Sequence, residues 1–158
     1  MGGNDLLKGL RVIENSLLGP GLVGTFLSDL GAEVIKVESP SGDYIRQMTW
    51  PIIEGNSLLH LHTHRGKRSI AINLKDEDGA GVYRSLLEKA DVVVEAMRPG
   101  TLERLGFGFN ELLQINPKIV FCTISGYGAT GPYRDLPSHG IAYDTWAGLI
   151  EPVVDDDG

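Results

Sequence analysis

The residues of this 158-residue chain best equipped for chemistry are cations set in an acidic protein of net charge −7. Arg65, Lys67 and Arg68 stand together, Arg98 closes an apolar stretch, and Arg104 follows shortly after. Guanidinium and ammonium groups suit phosphates, which they meet through charge-assisted hydrogen bonds, so a local patch for a phosphorylated ligand is compatible with the acidic total. General nucleic-acid binding is not, since it calls for a broadly basic surface. His60, His62 and His64 alternate, and alternation on a strand puts side chains on one face. No carboxylate or cysteine accompanies them in that stretch, so no metal site is expected. Cys122 is the only cysteine. It lies in Ile119-Val120-Phe121-Cys122 and reads as a small buried hydrophobe rather than a nucleophile.

A glycine pattern competes for attention. Gly19-Pro20-Gly21-Leu22-Val23-Gly24 matches G-x-G-x-x-G, and Glu38 stands about where a ribose-binding acid would. That fingerprint should begin as the first strand ends, yet Asn15-Ser16-Leu17-Leu18 intervene. The segment reads better as a glycine-eased turn with close helix packing, with NAD or FAD binding as the alternative.

The elements that must position these residues alternate strand and helix. Strands are expected over 10–14, 32–38, 68–74, 91–95 and 118–125, the fourth built on Val92-Val93-Val94. Helices are expected over 21–30, 76–90, 101–105, 110–115 and 141–150. In the first helix Leu22, Val23, Phe26, Leu27 and Leu30 share one face, and Asn110 is the expected N-cap of another. Segment 39–57 reads as a long loop, of a length that is usually functional. The result is an α/β fold: a Rossmann-like parallel sheet with helices on both faces, forming residues 1–150 of a truncated large domain. Residues 151–158, ending in the exposed acidic turn Asp155-Asp156-Asp157, read as the start of a linker or hairpin. Ligands on such sheets bind beyond the carboxyl ends of the strands, here the loops 15–20, 39–57, 96–100 and 125–138. Met1 to Leu10 lack the charged and apolar regions of a signal peptide, so none is expected, and no apolar run is long enough to span a bilayer as a helix. These features and the lack of any possible intramolecular disulfide fit a cytoplasmic protein.

Several segments occur as an ordered set: Leu7-Lys8-Gly9-Leu10-Arg11-Val12-Ile13-Glu14, Leu30-Gly31-Ala32-Glu33-Val34-Ile35-Lys36-Val37-Glu38, Gly66-Lys67-Arg68-Ser69-Ile70, Ala90-Asp91-Val92-Val93-Val94-Glu95-Ala96-Met97-Arg98-Pro99-Gly100, and Ser125-Gly126-Tyr127-Gly128-Ala129-Thr130-Gly131-Pro132-Tyr133. The series resembles the family III CoA-transferases, which include formyl-CoA and carnitine-CoA transferases and the α-methylacyl-CoA racemases. The resemblance covers nearly the whole chain. It implies a Rossmann-like large domain, a smaller second domain, two chains interlocked as a dimer, coenzyme A as carrier with no metal, and an acyl-CoA and a carboxylic acid as partners. It also implies that this chain spans little more than the first third of such an enzyme.

By the same resemblance, CoA contacts fall on Lys67, Arg68, Met97, Arg98 and Arg104. Transferases of the family attack the thioester with an aspartate that lies on sequence following Gly158, so the nucleophile is expected to be missing here. Racemases of the family use a His–Asp pair to move the α-proton. His139 matches their histidine, but Gly140 replaces the neighbouring aspartate. Leu17-Leu18 stand where transferases commonly carry Gln-Ala, which hints at a bulkier or less polar acyl group. Four functions compete: a CoA-transferase fragment, a racemase or epimerase fragment, a non-catalytic CoA- or nucleotide-binding module, and the dinucleotide reading. For the chain alone, weak CoA binding and no turnover are expected.

Overall fold

The structure is a computed structural model, and it describes residues 5–137, 139–151 and 153–154. Five strands form one parallel sheet: β1 (Arg11–Asn15), β2 (Glu33–Glu38), β5 (Arg68–Ala71), β6 (Val92–Glu95) and β7 (Val120–Thr123), in the order β5-β2-β1-β6-β7. The apolar strands are placed as their sequences predict, with ends shifted by a few residues. The Rossmann-like α/β reading therefore holds. The sheet grows outward from β1 in both directions, so β1 and β6 flank a topological switch point. The loops leaving them diverge, and that opens a crevice.

Period-two alternation sends β1, β2 and β6 side chains to two different layers. Ile13, Val37 and Val93 meet α3 (Glu77–Leu87), α4 (Thr101–Arg104) and α5 (Phe109–Ile115) in the larger core, with Tyr83, Leu87, Leu102, Phe107 and Leu112. Tyr83 and Phe107 pack edge to face at 4.8 Å between ring centroids. Val12, Val34 and Val94 face the other way, with Val23 and Leu27 of α1 (Gly21–Asp29) and with Cys122 packed around them. Cys122 is half-buried there.

Three local expectations need correction. Phe26 of α1 is 57 % exposed, while Gly21, Gly24 and Thr25 form the buried stripe. The helix is rotated because a carboxylate lies beneath it: a Cβ on Gly24 would fall 1.7 Å from Glu14 Oε2. The last glycine of the G-x-G-x-x-G run thus makes room for Glu14. Second, the N-cap of α5 is Gly108, where a Cβ would meet Glu103 Cγ at 2.6 Å, and Asn110 lies inside the helix.

Third, segment 39–57 is not a plain loop. It holds a 3-10 turn (Tyr44–Gln47) and an antiparallel hairpin, β3 (Pro51–Ile53) with β4 (Asn56–Ser57). The hairpin leads into α2 (Leu58–His64), an element not among the helices expected from the sequence. Ser57 caps α2: its Oγ accepts the His60 N–H at 3.1 Å and donates to Ile45 O at 2.6 Å. The three histidines are therefore helical, and only His60 and His64 share a face. No helix among the described residues is long and apolar enough to cross a membrane. Residues 155–158, with Asp155 to Asp157, lie outside the described residues.

Candidate functional site

A groove of about 880 Å³ opens at the carboxyl ends of β1, β6 and β7, within the range of small-molecule sites. The β1 loop supplies Leu17 to Pro20, the β6 loop Ala96 to Pro99, and the β7 loop Ile124 to Tyr127. The far wall carries Arg134, Leu136, His139 and Tyr143, the last on α6 (Gly140–Trp146). Three of the loops expected at the ligand edge thus converge on one cavity, and the fourth contributes Tyr44. Leu18 holds φ at 54°, a region non-glycine residues seldom occupy, at the groove wall.

The loop bearing Met97 and Arg98 is anchored from below by Glu95. Glu95 Oε2 accepts the Met97 N–H at 3.0 Å, and Thr123 Oγ1 donates to Oε1. Glu95 is 5 % exposed. Burial raises its pKa above the ordinary carboxylate value, against the pull of Thr123 and the Met97 amide, and the Glu103 charge adds to the rise. Asn15, at the end of β1, donates to the Tyr83 hydroxyl at 2.5 Å on the same side of the sheet.

Two predicted site cations are engaged elsewhere. Lys67 Nζ donates to both Glu14 oxygens, at 2.9 and 2.7 Å, and to Gly21 O at 2.6 Å, with its side chain 1 % exposed. Burial lowers its pKa, and Glu14 opposes that shift. Arg68 meets Glu33 Oε1 at 2.9 Å, at the strand ends opposite the groove, with its side chain 75 % exposed. Their neighbour Arg65 pairs with Asp29 at 3.2 and 2.5 Å. Each member of this basic cluster thus has its own carboxylate, drawn from β1, β2 or α1, none of them near it in sequence.

The second cationic group is different. Arg98 and Arg134 line the groove, and Arg104 stands behind them. A Cβ on Gly100 would lie 3.1 Å from Arg104 Nη1 and 3.1 Å from Arg134 Nη2, so these nitrogens are no more than about 6 Å apart. Arg104 donates to Thr101 Oγ1 at 2.9 Å, and Arg134 pairs with its neighbour Asp135, at 3.6 Å. Among the described residues no carboxylate lines the groove. Two guanidiniums this close, beside a groove lining that holds no carboxylate among the described residues, are cations that an anion could engage. Of the predicted site residues, the structure brings Met97, Arg98 and His139 to the groove, leaves Arg104 just behind, and does not bring Lys67 or Arg68. Arg134 was missed because the adjacent Asp135 suggests a solvated pair. Only the Gly-rich loop before it hints at its placement.

Beside the groove lies a buried ionic layer under α1 and α2. Lys36 Nζ is 3.0 Å from Asp43 Oδ2 and 3.7 Å from Glu14 Oε1, and donates to Ser16 O. Asp43 Oδ2 is 3.2 Å from His64 Nε2. Burial would raise the Asp43 pKa, but His64, the Ile45 amide and Lys36 together hold it far below the ordinary range. Glu38 accepts from Arg46 at 2.9 Å, Ser69 at 2.7 Å and the Asp43 N–H at 3.0 Å, and its pKa is lowered although burial opposes this. Burial, with the His64 charge next, pushes His60 down to about 4. The expectation that no carboxylate accompanies the histidines holds along the sequence but not in space.

Comparison with known proteins fits this geometry. A family model described as CoA-transferase family III matches residues 7–156. The chain is 41% identical over 147 residues to the succinyl-CoA–L-malate CoA-transferase beta subunit of Chloroflexus aurantiacus, covering 87% of this chain and 36% of that protein. It is 39% identical over 154 residues to mouse succinyl-CoA:glutarate CoA-transferase, covering 96% of this chain and 35% of the relative. The crystal structure of a CAIB/BAIF family protein from Brucella suis superposes with a TM-score of 0.84 at 38% identity, over 96% of this chain and 42% of that one. The chain thus spans little more than a third of the length of the curated relatives it matches.

Proposed function

This chain belongs to CoA-transferase family III, and on that premise we propose that its groove holds the coenzyme A portion of an acyl thioester, in an enzyme that moves CoA from an acyl-CoA to a carboxylic acid. The observation that carries the reading is the close approach of Arg104 and Arg134 beside a groove that Arg98 and Arg134 line, with no carboxylate in that lining among the described residues. The 3′-phosphate and pyrophosphate of CoA are the anions such a group suits, each through short charge-assisted hydrogen bonds. Leu17, Leu18, Met97 and Ile124 offer an apolar wall for the pantetheine arm and acyl chain. Glu95 positions Met97 and Arg98 by holding the Met97 amide. Lys67 acts indirectly, fixing the start of α1 through Gly21 O.

In this reading an aspartate carboxylate attacks the thioester carbonyl and the C–S bond breaks, giving a mixed anhydride and the CoA thiolate. The thiolate re-attacks the aspartyl carbonyl, which releases the donor acid and leaves an aspartyl-CoA thioester. The acceptor carboxylate then takes CoA from it through a second anhydride, freeing the aspartate. The attacking aspartate is supplied from another part of a full-length transferase. A second reading, proton removal α to the thioester carbonyl, is favoured by the position of His139 on the groove wall. Exchange of the α-proton with solvent deuterium, without acyl acceptor, would single it out.

Calorimetric titration of the chain with CoA tests the proposal. Saturable heat is expected, with affinity lowered about tenfold in Arg98→Ala, the equivalent of ~1.4 kcal/mol. Absence of heat, or an Arg98→Ala variant that binds as the parent does, would defeat it.

A further inference from the structure

Two imidazoles and a carboxylate outside the groove remain without a role. His60 and His64 lie one turn apart on α2, and their rings stack at 4.3 Å between centroids with 23° between planes. Glu38, the last residue of β2, points to the same place, and one ligand atom from each of the three lies within 4.8 Å of the others. His60 is only 7 % exposed, yet neither of its ring nitrogens has a hydrogen-bond partner among the described residues. A buried polar side chain in that condition calls for an explanation.

We propose that Glu38, His60 and His64 form a binding site for one divalent first-row transition-metal ion. Two imidazoles at i and i+4 on a helix, with a carboxylate across from them, are a metal-ligating set that leaves a position open. Nitrogen and single-oxygen donors suit Zn²⁺ and its neighbours, whereas Mg²⁺ and Ca²⁺ take oxygen shells. Tetrahedral bonds of about 2.0–2.2 Å place donor atoms ~3.4 Å apart, so the three close by about an ångström when the ion enters.

The surroundings supply an orienting shell. Ser69 and the Asp43 amide hold the Glu38 carboxylate, with Oε2 accepting, among the described residues, only the Asp43 N–H and keeping a lone pair. His64 is held by Asp43 Oδ2 at 3.2 Å and by Thr63 Oγ1 at 2.8 Å, and one of these contacts gives way to the ion. Arg46 opposes binding through its charge on Glu38 Oε1, but its side chain is 33 % exposed and can turn to solvent. The site clips β2 to α2 and is independent of any ligand in the groove.

The test uses the chain after dialysis against a chelator, with Co²⁺ and Zn²⁺ as probes. One Co²⁺ per chain is expected, with visible ligand-field absorption that one equivalent of Zn²⁺ abolishes, and a raised melting temperature with either ion but not with Mg²⁺. His60→Phe, which keeps a ring in the buried stack, and Glu38→Gln should each weaken Zn²⁺ binding by at least about tenfold. His62→Ala alters an exposed ring on the same helix and should leave it unchanged. A chain that takes up no stoichiometric ion, or that loses as much affinity in His62→Ala as in His60→Phe, would overturn the proposal.

Discussion

The two basic regions of the molecule have the same residue types and opposite fates. Around residues 65–68 each cation is matched by a carboxylate, and the most buried pair, Lys67 with Glu14, is sealed under α1 with side chains 1 % and 0 % exposed. Around Gly100, Arg104 and Arg134 approach each other, Arg98 lines the same groove as Arg134, and no carboxylate is in that lining among the described residues. What distinguishes the two regions is where the acids stand. In the first, carboxylates from β1, β2 and α1 meet the cations directly, and that charge helps hold the protein together. In the second, the one paired acid is the exposed Asp135 and none lines the groove among the described residues, which in the proposed reading leaves charge for a ligand.

The largest expected effect breaks the first region. Lys67→Ala leaves the buried Glu14 carboxylate with only the more distant Lys36, 3.7 Å away, among the described cations, and should cost about 3–5 kcal/mol in urea unfolding, while CoA affinity of the folded fraction stays close to the parent value. If Lys67→Ala instead abolished CoA binding with little loss of stability, the two regions would have to exchange roles.

The second region gives the reverse pattern. Arg134→Ala should lower CoA affinity about tenfold, ~1.4 kcal/mol, with an unchanged melting temperature. Raising salt sharpens the contrast. Exposed guanidiniums are screened, so CoA affinity should fall between low and physiological ionic strength, while the buried Lys67–Glu14 pair responds much less.

Glu95 offers a smaller, pH-dependent effect. Its folded pKa is raised above the ordinary glutamate value of 4.5. The protonated form is thus favoured by folding, and the stability it contributes is complete below 4.5 and lost as pH rises through the folded pKa. Glu95→Gln removes that titration. The stability difference between variant and parent should move in the variant's favour as pH rises above 4.5, followed by denaturant melts at several pH values. A difference that stays flat would mean that Glu95 titrates as it would in the unfolded chain. The smallest effect belongs to Arg68→Ala, which removes an exposed surface pair and should change stability by less than about 0.5 kcal/mol and CoA affinity not at all.

Much of the fold was legible because apolar runs such as Val92-Val93-Val94 can only be buried strands, and because turn glycines separate the elements. The side on which ligands gather followed from strand order rules. Two of the three failures share one cause: the layer between α1, α2 and the sheet is ionic, and periodicity counts only apolar residues. Glu14 displaces the apolar face of α1 and sends Phe26 outward. Ser57 starts a helix where alternating histidines resemble a strand. Of the site, Met97, Arg98 and His139 could be found from sequence, whereas Arg134 and the engagement of Lys67 depend on partners distant along the chain.

The account stands most directly on where the nucleotide binds. A crystal of the chain soaked with CoA should place its phosphates within hydrogen-bond reach of Arg98 and Arg134, with Lys67 still bound to Glu14. Phosphates resting on Arg65 or Arg68, on the outer side of the sheet, with the groove empty would contradict it.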